Sequence, residues 1–215
     1  MSEASTLPAI QFETIAQQRE ASQLGMWVFL ATEVMFFGGL FLGYVYARWH
    51  YPTGFTTASH ELNLVAGSIN TAVLLASSFF MALAVLAAEK SQRVGVARCM
   101  RLTALLGLVF LAIKGFEYHE DYTKHLIPNL NFQFDGPLST QVELFFWLYF
   151  SMTLLHAIHV TVGIVIIGVM SEGARRARHD GEAWHAVEII GLYWHFVDVV
   201  WVFLFPLLYL IGSRT

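Results

Sequence analysis

Five apolar runs, each long enough to cross a bilayer, constrain this chain more than any other feature. They cover residues 24–47, 64–88, 102–118, 144–170 and 187–211. About 20 residues of helix traverse the hydrocarbon layer. No water is available there for backbone N–H and C=O groups, so a span must be a helix or part of a closed barrel. None of the runs shows the period-two alternation of a barrel strand. The expected fold class is therefore all-α. It is a polytopic membrane protein with five transmembrane helices in one bundle, preceded by a polar N-terminal tail over residues 1–23.

Composition points the same way. Charged residues are 13% of the chain and apolar ones 56%, whereas soluble domains carry roughly 25% charge. A net charge of −4 gives no ground for a nucleic-acid partner. The single cysteine, Cys99, can form neither an internal disulfide nor a thiolate metal centre. The acidic start lacks the basic-then-apolar pattern of a signal peptide, so span one is expected to be retained. Trp27, Tyr44, Tyr46, Trp49, Trp147 and Tyr209 fall near span ends, as in interfacial aromatic belts.

Basic residues set the expected orientation. Arg19, Lys90, Arg93, Arg98, Arg101, Arg175, Arg176 and Arg178 fall on one side, and only Arg48, Lys124 and Arg214 on the other. Lysine and arginine accumulate on the cytoplasmic side. The N-terminus is thus expected in the cytoplasm and the C-terminus in the periplasm. The long segment 120–143, with Pro128, Asn129, Gly136 and Pro137 as turn formers, lies outside.

Ionisable groups within spans are costly and normally either functional or paired. Glu33 lies about 14 Å from the cytoplasmic edge, His195 about 12 Å and His159 about 16 Å, at 1.5 Å per residue. These three share one layer. His156 sits a turn further out, and Asn70 is in the outer half of span two. Glu33 reads either as a proton relay or as a neutral acid bonded to a neighbouring helix. His156 and His159, at i,i+3, read as metal ligands, as a haem ligand, or as polar glue between helices at about 0.6 kcal/mol per contact. His159 with His195 matches a b-type haem in depth, and Glu33 with His195 matches a proton-coupled transporter, although no inverted repeat supports the latter.

His195 and Asp198 share one helical face and are expected to join in inter-helix hydrogen bonding. Lys114 and Glu117 can neutralise each other, with His119, Glu120 and Asp121 marking a solvated helix end or a docking surface for a cation-rich partner. Gly39 and Gly43 form a small-xxx-small pair suited to close helix contact. No phosphate loop, paired CxxC or CxxCH is present. No residue is assigned as catalytic and none as a metal ligand.

Taken in order, these stretches resemble subunit III of the haem–copper respiratory oxidases, in its short bacterial form. GMWVFLATEVMFFGGLFLGYVYAR is similar to the family's first shared helix, with Glu33 at its membrane glutamate. LNLVAGSINTAVLLASSF resembles the next, with Asn70 and Thr71 at the Asn-Thr pair. GFEYHEDY places Glu117 and Tyr118 at a Glu-Tyr segment, and LLHAIHVTVGI places His156, His159 and Val160. YWHFVDVVWVFLFPLLYL is the sharpest match, through Trp194, His195, Asp198 and Trp201.

The resemblance covers residues 20–212 and implies a non-redox subunit of a cytochrome c oxidase in the bacterial inner membrane. On that reading the chain carries no cofactor of its own, and haem and copper reside in partner subunits. It packs mainly on subunit I and touches subunit II. It holds phospholipid in a cleft and supports proton uptake and resistance to turnover inactivation. Glu33 is the functional carboxyl; Asn70, Glu117, His156, His159, His195 and Asp198 serve helix contacts and the lipid cleft. Quinol oxidases and nitric oxide reductase accessory proteins are also similar, and the combination of Glu33 with Asn70-Thr71 leans to the cytochrome c branch.

Overall fold

A computed structural model describes residues 12–134, 136–176 and 181–210. The first eleven residues, Asp135, Arg178, His179 and Arg214 lie outside the described residues. Among the described residues six α-helices follow one another: α1 Ile15–His50, α2 Pro52–His60, α3 Leu64–Glu89, α4 Arg93–Thr123, α5 Ser139–Arg176 and α6 Gly181–Phe205, the last running into a π turn, Pro206–Leu210. Five of them are long and apolar enough to cross a membrane.

Local chemistry explains the ends. Thr14 caps α1, its side chain accepting from the Gln17 N–H at 3.2 Å, so the helix begins inside the stretch expected to be tail. At 36 residues α1 is the second longest helix, and at 1.5 Å per residue it is about 54 Å long. Pro52 stops it, because a proline disfavours helical geometry in the preceding residue while fitting the first turn of the next helix. The result is α2, a short helix not expected from the sequence. Asn63 caps α3 by accepting from Ala66 N–H at 3.1 Å. Between α3 and α4 the chain reverses within three residues, Ser91 taking a positive φ of 54°. Pro206 has no N–H to donate, and there the α ladder gives way to the wider π turn.

Helices α3, α4, α5 and α6 close a ring, each packing on its neighbours, while α2 lies against α5. Helix α1 sits outside the ring against α6 and α5. Only 17% of its apolar window is buried within the chain, against 50% for the last span. One is a core element, and the other presents most of its surface outward.

Two tryptophans of α6 form the centre. Trp194 and Trp201 are 0% and 1% exposed. Their indole N–H groups find partners: Trp194 donates to Ser77 Oγ at 3.1 Å, and Trp201 to Thr71 Oγ1 at 3.0 Å. Glycines make the room. A Cβ on Gly163 would stand 2.8 Å from the Trp194 ring, and one on Gly107 would stand 2.9 Å from it. The pair expected to do this work, Gly39 and Gly43, meets nothing within 4 Å. Close helix approach therefore occurs where a large ring needs a seat.

Gly163→Val should destabilise the bundle by about 1–3 kcal/mol through overpacking, read as a lower thermal midpoint of the purified complex, whereas Gly39→Ala should leave that midpoint unchanged.

Candidate functional site

The polar residues of the spans form three groups with different characters. The first joins α1 to the ring. His159 Nδ1 lies 2.8 Å from the Leu155 carbonyl, and its Nε2 lies 3.1 Å from Glu33 Oε2. A carbonyl only accepts, so Nδ1 carries a hydrogen. Nε2 then either accepts from a protonated Glu33 or, as imidazolium, donates to a carboxylate. In both states one proton lies between the two side chains and the pair is neutral overall. Tyr193 donates to the His159 carbonyl at 3.0 Å, and Phe37 meets the imidazole edge-on at 5.3 Å. Further along α1, Tyr44 donates to the Leu207 carbonyl at 2.9 Å.

The second group is a closed ion cluster. Lys114 and Glu117 are each 3% exposed. The Lys114 ammonium donates to Glu117 Oε2 at 2.9 Å, to the Tyr149 hydroxyl at 2.9 Å and to the Tyr209 hydroxyl at 2.7 Å. Tyr149 also donates to Glu117 Oε1 at 3.2 Å, and Tyr209 donates to the same oxygen. The rings of Tyr118, Tyr149, Trp201 and Tyr209 surround the ammonium at 4.7–5.5 Å, where their faces add cation–π attraction. The solvated helix end expected here is instead an interior. His119 is exposed, but Asp121 is 2% exposed. Tyr209, read as a belt residue, is 2% exposed, and Tyr44 is fully buried. Trp27, Tyr46, Trp49 and Trp147 are exposed, as a belt requires.

The third group lines the ring around α6. His195 does not bond Asp198; its Nδ1 lies 2.7 Å from Ser78 Oγ on α3. Residues three apart on one helix both turn toward α3, and Ser78 lies beside each. Asp198 is 4% exposed and its carboxylate oxygens accept no well-formed hydrogen bond among the described residues. His156, 1% exposed, stacks on Trp201 at 5.3 Å and meets Phe110 edge-on at 5.6 Å. Neither of its ring nitrogens has a partner among the described residues, and neither amide atom of fully buried Asn70 has one.

The layer of Glu33, His159 and His195 thus divides. Glu33 and His159 meet; His195 turns to another helix. With both its ring nitrogens engaged, His159 has none left for a haem iron. Among the described residues no three His, Cys, Asp or Glu side chains gather as a metal-binding group. Sequence reasoning missed Tyr149, Tyr209, Tyr193, Ser77 and Ser78 as members of these groups. Lys114 was visible as a charge to be explained; the tyrosines that surround it arrive from α5 and from the π turn, and nothing local marks them.

These groups describe a multi-pass helical membrane protein whose polar side chains tie helices together. Comparison with known proteins makes the class specific. The family model for cytochrome c oxidase subunit III matches residues 9–213. A cytochrome c oxidase subunit 3 from Synechocystis sp. is 33% identical over 188 residues, covering 87% of this chain and 74% of the relative. The subunit 3 of Thermostichus vulcanus is 33% identical, covering 87% of this chain and 86% of its own length. A probable subunit 3 from Mycobacterium leprae is 34% identical, covering 87% of each. The chain belongs to the cytochrome c oxidase subunit III family. Members are subunits without a redox centre of their own, so this chain works in a complex with other oxidase subunits.

Lys114→Met should lower stability by about 3–5 kcal/mol, because it leaves Glu117 buried without its counter-charge. Adding Glu117→Gln to that variant should recover most of the loss, as measured by calorimetry of the purified complex.

Proposed function

We propose that the chain serves its oxidase as a non-redox scaffold and proton-handling subunit, with Glu33 as the functional carboxyl. It packs mainly on subunit I and touches subunit II, and those partners carry the haem and copper. Phospholipid fills the groove beside α1, where Val34, Phe37, Phe41, Phe196 and Phe203 line an apolar cavity of about 220 Å³. The membrane is the bacterial inner membrane, with the N-terminus cytoplasmic and the C-terminus periplasmic, as the basic residues favour.

The Glu33–His159 bridge carries this reading. It holds a transferable proton within the span, in a pair 18% exposed on each side. It also lies on the helix least enclosed by its own chain, where lipid or a partner subunit can reach it. A pair that is neutral overall keeps its place in lipid without a fixed charge, and a carboxyl that shares its proton can take up or release one in step with a neighbour.

An affinity tag on this chain should bring down polypeptides whose absorption spectra show haem; recovery of the chain alone would refute the assignment to a complex. Glu33→Ala should leave assembly intact while slowing proton uptake or shortening catalytic lifetime, and unchanged turnover, lifetime and pH profile would remove that role from Glu33.

A further inference from the structure

At the end of α4 the buried ion cluster has an acid too many. Three ionisable residues of one helix are buried there: Lys114, Glu117 and Asp121, each 2–3% exposed. That is two carboxyls and one ammonium. The ammonium has three hydrogens, and all are committed, to Glu117 and to the hydroxyls of Tyr149 and Tyr209. Glu117 accepts from the ammonium and from both of those hydroxyls. The Lys114–Glu117 pair is therefore saturated and neutral, with nothing to spare for Asp121.

The other cation near Asp121 is spent as well. Lys124 pairs with Glu120 Oε1 at 2.8 Å and donates to the Glu61 carbonyl at 3.4 Å. The charged and titratable groups facing Asp121 are thus Lys114, Glu117, Tyr118, Glu120 and Lys124 from α4 and its cap, Tyr149 from α5 and Tyr209 from the π turn. The negative ones repel a carboxylate, and the positive ones already have partners. Asp121 Oδ2 is buried with no hydrogen-bond partner among the described residues.

A carboxylate removed from water without a counter-charge takes up a proton rather than remain ionised. We propose that Asp121 is a proton-binding site, present in the assembled protein at neutral pH as the neutral carboxylic acid. The proton comes from solvent at the edge of the bundle, where α4 ends, and binding it forms one O–H bond and cancels one negative charge. The site is separate from the Glu33–His159 bridge: it lies on a different helix, beside the α4–α5 connection, and does not depend on the role given to Glu33.

Infrared spectroscopy of the assembled oxidase carrying carbon-labelled aspartate tests this. At neutral pH the difference between wild type and Asp121→Asn should contain the carbonyl stretch of a protonated aspartic acid, on a background to which other buried aspartates such as Asp198 contribute, and that difference band should fade as pH rises. Because a neutral amide then replaces a neutral acid of the same shape, Asp121→Asn should assemble in wild-type yield with an unchanged thermal midpoint. Absence of that difference band, with wild type and variant alike in the carbonyl region, overturns the proposal. So does failure of Asp121→Asn to assemble, which is the behaviour of a carboxylate paired with a metal cation or with a basic side chain of another subunit.

Discussion

An ammonium group inside a helical bundle has to be neutralised where it stands, and the architecture of one end of this protein follows from that requirement. Lys114 donates to three oxygens from three different elements. Each of those oxygens is held in turn: Glu117 by α4 itself, Tyr149 by α5, Tyr209 by the turn that ends α6. The charge is thus a fixed point on which three elements converge. A single ion pair inside a protein is poor evidence of stability, since desolvation offsets much of the attraction. Here two phenols and four aromatic faces share the ammonium, so the cost of desolvation is spread over many favourable contacts. The π turn at Pro206–Leu210 belongs to the same device, because Tyr209 reaches the cluster from it.

Beyond that end, rings and glycines take over. Trp194 and Trp201 on α6 fill the ring of four helices, each with its N–H satisfied by a hydroxyl of α3. Gly107 and Gly163 give up side chains so that Trp194 can seat between α4 and α5. Lipid offers apolar side chains no hydrophobic drive toward one another, so association within the membrane depends on close packing and on polar contacts such as these. The ring has both.

Helix α1 is held in another way. Its ties to the rest of the described chain include one proton-sharing bridge, Glu33–His159, and one phenol, Tyr44, on the Leu207 carbonyl. Most of its apolar surface faces outward: Trp27, Met35, Leu42, Tyr46 and Trp49 are all more than half exposed. A subunit that works only inside a larger complex needs such a face. The contrast between a dense ring and a lightly held outer helix accords with a chain that belongs to a complex with other oxidase subunits.

The amino-acid sequence by itself determined the solvent, the number of spans and the family. Those depend on long-range averages of hydropathy and on motifs contiguous in the chain, and both survive without coordinates. It also marked the residues that needed an explanation, because any ionisable group in an apolar run stands out: Glu33, Lys114, Glu117, His159, His195 and Asp198 were all visible. Only the tertiary structure decided which of them meet. His195 and Asp198 share a helical face, yet sharing a face means turning toward the same neighbour rather than toward each other, and Ser78 on α3 takes the imidazole. Glu33 and His159 are 126 residues apart and touch. Tyr209 has the composition of a belt residue and becomes a ligand of a buried charge. Spacing along one helix says which way a side chain points; what it finds there is set by the register between helices, and that register is a property of the packed bundle.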